Sequence, residues 1–396
     1  MWMPLLVLLA APDTVVFADT VHPVSGPTIT DGYVLIEDGK IAAVGHASQF
    51  SPTGDEQVYR CTVLTPGLID ARATVGLTGQ YNIDHDQDML EHSAPIQPEL
   101  RAIDAYNPQE RLVEWIRQFG TTTVHTGHAP GELVSGRTMI CKTSGRTIDE
   151  VVLDPDAMVA CTLGESALKS GGKSPGTRSK SMALLRQELI KAQAYAKKHA
   201  DHDSEDPPPA RDLRLEALAS VLEGDMPLLV YANRTHDIMN ALRLGKEFDI
   251  DIILDGATES YRVIEEIKAA DVPVIVHPLM IRMYGERENA AFTTPAALAD
   301  AGIHCALQTG YESYVPKVRV LVFEAGHAAA HGLGFNRALQ ACTLDAARLL
   351  GVQDRIGSIE PGKDADLAMW DGDPFEWTSH CTGVIIDGEQ VSTVIR

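Results

Sequence analysis

From Thr14 to Val63, apolar and polar residues alternate in short runs broken by turn signals. "DTVVFADTVHPVSG" leads into "GYVLIEDGKIAAVG", where Asp38-Gly39 between alternating halves is a tight hairpin signal. The C-terminus repeats the idiom in "ADLAMWDGDP" and "GVIIDGEQVSTVIR", with Asp387-Gly388 at the turn. Alternating strands bury one face. Two hairpin-rich ends flanking a long middle therefore predict a small β-sandwich built from residues 13–63 and 353–396.

The middle, residues 64–352, carries a different pattern. Fully apolar runs such as "TVLTPGLID", "TTTVHTG", "TMICKT", "PLLVYAN", "DIIL", "VPVIVHP" and "IHCALQT" read as strands covered on both faces. Between them lie stretches of helical period, among them "SKSMALLRQELIKAQAYAKKH", "HDIMNALRLGKEF", "VPKVRVLVFEAGHAAAHG" and "NRALQACTLDAARLLG". Seven or eight such units predict an α/β chain with a (β/α)8 barrel of the TIM type rather than an open doubly wound sheet. No G-x-G-x-x-G follows an early strand, which removes the main support for a dinucleotide fold. "HADHDSEDPPPARD" reads as a polar surface insertion. Residues 1–12, "MWMPLLVLLAAP", read either as a short export signal or as a first strand, so an exported or periplasmic location and a cytoplasmic one both stand.

Composition narrows the partners. The 396 residues carry 33 basic and 55 acidic side chains, a formal charge of -22. A phosphate backbone needs a basic footprint, so nucleic acid and anionic membranes are excluded as partners. The six cysteines are scattered without a C-x-x-C pair and read as buried thiols.

The residues resemble the amidohydrolase superfamily, in its imidazolonepropionase-like branch. The likeness spans nearly the whole chain and rests on "VLIEDGKIAAVG", "TPGLID", "GTTTV", "PLLVYANRTHDIMNALRLGKEF" and "AALADAGIHCALQT". Its most specific block is "ALQACTLDAARLLGVQDRIGSIEPGKDADLAMWDGDP". The resemblance implies a hydrolase of non-peptide C–N bonds, in cyclic or small amides. It also implies a divalent metal at the C-terminal mouth of the barrel. Barrels of this family often pair, so a homo-oligomer stands beside a small-molecule ligand as an expected partner.

The departures fall on the metal. Where the family places His-x-His after strand one, this chain has Arg72 and Thr74; where strand five brings a histidine, it reads Tyr231 and Asn233. Asp255 with Gly256 replaces the strand-six histidine, and Gly310 stands at the strand-eight aspartate. Divalent ions need several close His or carboxylate donors, and Arg72 cannot shed its proton. The inherited metal site is therefore expected to be absent and no cofactor is expected, and a catalytically inactive barrel that binds a small molecule or a partner stands as the alternative to a divergent hydrolase. Arg72 then either holds a substrate anion or pairs with an acid such as Asp255. A relocated zinc, or metal-free acid–base catalysis, would fall to His125, His128 and His277 at other strand ends. Lys142 is the candidate for the family's strand lysine, and Arg178 or Lys169 in a Gly-rich basic loop for substrate contact. The acidic stretch "NIDHDQDMLEH" is a candidate lid, with a solvated loop as its alternative.

Overall fold

The computed structural model describes residues 13–81, 83–202, 207–311 and 319–396. The candidate signal 1–12 lies outside the described residues, as do parts of the polar insertion, of the acidic stretch and of the helix expected over 315–332.

The first four strands are β1 (Thr14–Val21), β2 (Ile29–Glu37), β3 (Lys40–His46) and β4 (Gln57–Pro66). β1 pairs antiparallel with β2 and parallel with β4, so hairpin and crossover are laid side by side. Asp38 (φ 48) and Gly39 (φ 77) make the left-handed turn that the Asp-Gly pair foretold. β4 runs straight on into the barrel through Gly67. A Cβ at that position would lie 2.1 Å from Thr122 Oγ1, so the crossing needs a bare backbone.

Eight further strands form the second sheet: β5 (Leu68–Ala73), β6 (Thr121–Thr126), β7 (Val134–Lys142), β8 (Val152–Thr162), β9 (Leu228–Ala232), β10 (Ile252–Gly256), β11 (Val274–Val276) and β12 (Cys305–Ala306). They lie in sequence order, and the edges meet where Ala73 bridges Gly310 and the Gly310 amide bonds Arg72 O at 2.9 Å. This is the expected barrel, with one departure. β7 is antiparallel to both β6 and β8. The connection from β6 to β7 spans only residues 127–133, too short for the crossover that a parallel neighbour requires.

Residues two apart on a strand share a face. Ile69, Leu229, Ile253, Ile275 and Ala306 form one buried layer inside the barrel, and Ala346, Ala347 and Leu350 stop its lower end. The next inward positions on β9 and β10 are Tyr231 and Asp255, with Gln308 just beyond β12. Burial at the bottom thus positions polar side chains at the top.

The closing strands β13 (Leu367–Trp370), β14 (Cys381–Ile386) and β15 (Glu389–Ser392) complete the first sheet in the order β15-β14-β13-β4-β1-β2-β3. Both chain ends therefore combine in one separate seven-stranded sheet. It abuts the lower end of the barrel, where Lys142 at the end of β7 reaches Asp364 (2.8 Å) and Asp366 (3.1 Å), and the Gly67 amide at the junction of the two sheets donates to Asp366 O at 2.8 Å. Among the described residues no helix is long and apolar enough to cross a membrane.

Candidate functional site

Active centres of this barrel type sit where the parallel strands end. Here Arg72, Thr74, Tyr231, Asp255, Gln308 and Gly310 line one small cavity of about 20 Å³. That is room for about one water. Arg72 and Asp255, 3% and 2% exposed, face each other with Nε 3.5 Å from Oδ2. The guanidinium also donates to the carbonyls of Ala73 (2.9 Å) and His128. Gln308 Nε2 donates to the other oxygen of Asp255 at 2.8 Å. Burial pushes the Asp255 carboxyl up against the downward pull of Arg72. Burial likewise pushes the Tyr231 phenol up, which keeps it protonated.

Asp70 lies beneath the pair and takes hydrogen bonds from the Thr309 amide, the Thr309 hydroxyl and the Arg72 amide. Its carboxyl is pushed up to about 6, chiefly by complete burial. Gly310 is special for its backbone. Its φ of +67° is left-handed, and an added Cβ would lie 2.6 Å from Pro278 Cγ. No side chain of any kind fits there without movement.

Above this cavity opens a vestibule of about 320 Å³ that shares Pro130, Tyr231 and Tyr311 with it. Its outer wall is Glu165, Ser166 and the segment Tyr284, Glu286 and Arg287. The Arg287 guanidinium lies 4.7 Å from the centre of the Tyr284 ring, within cation–π reach. Glu286 is buried and accepts hydrogen bonds from the Glu165 amide (2.9 Å) and the Ser166 hydroxyl (3.1 Å). Sequence reasoning missed these outer residues and Gln308. Gln308 lies two positions beyond apolar Ala306, a period-2 signal that could have found it.

The three candidate histidines are buried but separately engaged. His125 Nδ1 donates to Ala71 O at 2.8 Å, which leaves Nε2 facing the Thr138 hydroxyl at 2.6 Å. His277 Nδ1 donates to Pro278 O at 3.0 Å, and its Nε2 faces the Thr294 hydroxyl at 3.4 Å. Only His128 keeps both ring nitrogens without a partner. Burial, with the nearby Arg72 cation second, depresses His125 to about 3 and His128 to about 4, and burial lowers His277. All three are therefore neutral imidazoles at pH 7. Among the described residues, no three or more His, Cys, Asp or Glu side chains are grouped so as to hold a metal ion.

Lys142 is a correction. Because β7 runs against its neighbours, its last residue lies at the lower end of the barrel and cannot meet a ligand at the mouth. There its ammonium is surrounded by Asp364 (2.8 Å), Asp366 (3.1 Å) and Asp387. Cys141 precedes it on β7, paired with Val124 and buried. Lys169, in the loop after β8, and Arg178, which opens the helix Arg178–Ala200, are spoken for, by buried Glu132 and by Asp237 (2.8 Å) respectively. Asn233 accepts from the Thr258 hydroxyl at 2.6 Å and lines neither cavity.

A nearly closed eight-stranded barrel with polar groups converging at its C-terminal mouth, stapled to a sheet made from both chain ends, defines a TIM-barrel protein of the amidohydrolase type. The profile of the Amidohydrolase family matches residues 291–396. The solved amidohydrolase of Thermotoga maritima superposes with a TM-score of 0.90 at 28% identity, over 96% of this chain and 100% of that one. The imidazolonepropionase of Streptococcus sanguinis is 25% identical over 91% of this chain and 90% of its own length. The amidohydrolase tasK of Hapsidospora irregularis is 25% identical over 90% of this chain, which spans only 39% of that longer protein. Over nearly its whole length the chain resembles the amidohydrolase superfamily, in its imidazolonepropionase-like branch.

Proposed function

We propose that this chain is a ligand-binding member of its superfamily that works without the inherited metal, taking a small molecule in the vestibule above the Arg72–Asp255 pair. The observation that carries the reading is the pair itself: a fixed guanidinium beside the one carboxylate that lines the cavity among the described residues, with room for about one water left over. The donor set does not fit a divalent ion. Arg72 repels it, the Tyr231 phenol is held protonated by burial, and the backbone at Gly310 refuses a side chain. The vestibule suits a small molecule in volume, and its chemistry suits a flat polar one: tyrosine faces, the Arg287 cation and the Glu286 carboxylate.

A second reading is hydrolysis of a cyclic or small amide, the reaction class suggested by relatives named imidazolonepropionase. It is favoured by His128, a buried neutral imidazole with both nitrogens unpartnered beside Arg72. One set of measurements separates the two readings. Elemental analysis after dialysis, thermal shift with zinc or manganese, and turnover of a cyclic-amide panel should show substoichiometric metal, no metal-induced shift and no hydrolysis. Compounds that raise the melting temperature of the parent should lose that effect in Arg287→Ala. Stoichiometric metal together with metal-dependent hydrolysis overturns the proposal.

A further inference from the structure

The segment that follows β11, residues 279–289, forms the outer wall of the vestibule and is held in an unusual way. Among the described residues, each of its backbone–backbone hydrogen bonds closes within residues 278–290. Examples are Ile281 N to Pro278 O (3.2 Å), Arg287 N to Tyr284 O (3.1 Å) and Glu288 N to Gly285 O (3.2 Å). No ladder ties it to the sheet. Side chains do that work instead.

At the near end, Glu324 of the helix Leu321–Ala328 accepts from the Leu279 and Met280 amides at 2.5 and 3.1 Å. At the far end, Asn289 Nδ2 donates to Glu259 at 2.7 Å, and the Tyr261 hydroxyl donates to Asn289 O at 3.2 Å. Both anchoring acids are buried, and at the near end Leu279 and Ile281 are buried too.

The middle is different. Met283 and Tyr284 are 47% and 60% exposed, so apolar burial does little to hold this part down. Two side chains pin it across the vestibule. Glu286 reaches the loop after β8 through the Glu165 amide and the Ser166 hydroxyl. Arg234, just after β9, donates to Gly285 O at 2.9 Å and pairs with Glu288 at 3.0 Å. A segment with two fixed ends, a solvated middle and a few polar pins opens locally before the rest of the fold does.

We propose that residues 279–289 are a hinged strap that gates the vestibule, fixed at Leu279–Ile281 and Asn289 and latched by Glu286 and Arg234. The open state breaks the Glu286 and Arg234 bonds, swings Tyr284 and Arg287 away from Tyr231, and leaves the barrel strands untouched. What the strap covers rests on the reading of the vestibule as a ligand site; that it opens does not.

Hydrogen exchange of the full chain without ligand tests the latch. Losing bonds to a charged group should speed exchange in peptides covering 279–289 about tenfold in Glu286→Ala, with β9, β10 and β11 unchanged. Ser166→Ala, a milder change that removes one of the two partners, should move the same peptides by less. Unchanged exchange in the strap for both variants overturns the proposal. So does faster exchange spread evenly over the barrel in both, since that is global loosening rather than a latch. A strap that responds in a protein for which no ligand is found leaves the gate standing and removes the ligand-binding reading. A ligand that binds over an unresponsive strap does the opposite.

Discussion

Replacing Arg72 by methionine removes the cation from the centre of the barrel mouth and leaves Asp255 buried. At 3.5 Å and an effective dielectric near 20, the attraction lost is about 5 kcal/mol. Asp255 keeps the Gln308 amide and can take up a proton, which limits the damage, while Ala73 O and His128 O lose their donors. Breaking one side of a buried pair commonly costs about 3–5 kcal/mol, and that is the range expected here. Equilibrium unfolding in denaturant at neutral pH, for Arg72→Met, Asp255→Asn and the double variant, reads this directly. The double variant should recover much of the loss, because it no longer buries a lone charge. The cost of Arg72→Met should also shrink in acid, where Asp255 is protonated in the variant. A loss below about 1 kcal/mol, or no recovery in the double variant, would refute the expectation that the buried pair stabilises the barrel mouth. A gain in stability would instead mark Arg72 as a cation kept for a ligand at the expense of the fold.

Three further outcomes follow from the same reasoning. Lys142→Met should cost about 3 kcal/mol, because Asp364 keeps Lys40 and Arg355 and exposed Asp387 keeps water, whereas Asp366 loses its cation. Addition of Asp366→Asn should restore most of that loss in a denaturant titration, and failure to do so would place the strain elsewhere. Glu324 is buried and pushed up to about 7 from 4.5, so its charge costs stability above pH 7, and that cost fades as pH falls toward 4.5. Glu324→Gln should therefore gain on the parent with rising pH, by at most about 3 kcal/mol, and a pH-independent difference in melting profiles would contradict it. Gly310→Asp should lower stability by about 2 kcal/mol or more, from left-handed backbone and the clash with Pro278; an unchanged unfolding midpoint would show that the site accepts a carboxylate after all.

Much of the mouth was legible in advance because its key residues end apolar strands. "PGLID", "LLVYA" and "IILDG" each carry a buried run to a polar tip, and barrel closure brings Arg72, Tyr231 and Asp255 to one cavity. The three histidines show the limit of that logic. Proximity to a strand end does not say where a ring points, and His125 and His277 satisfy themselves on Ala71 O and Pro278 O. The helix read as continuous over 336–351 is two, Phe335–Ala341 and Leu344–Leu349, with Thr343 (φ -138, ψ -96) outside helical geometry between them. Helical periodicity is blind to a break that keeps both pieces facing the core.

The amino-acid sequence by itself determined the kinds of element and their order. Periods of 2 and 3.6 are local properties, and an Asp-Gly turn needs only its own backbone to reverse a strand. It also determined that the strand ends carry Arg72, Tyr231, Asp255 and Gly310, since a position at the end of an apolar run is a one-dimensional fact. Direction and distance between distant segments belonged to the tertiary structure. The short loop 127–133 turned β7 round and sent Lys142 to the floor of the barrel, to meet carboxylates more than two hundred residues away. Gln308 became the partner of Asp255, and Glu286 reached Ser166, only because closing the sheet set loops from different strands side by side. Charges find their partners in space, and the chain's closure, rather than its order, decides which ones are near.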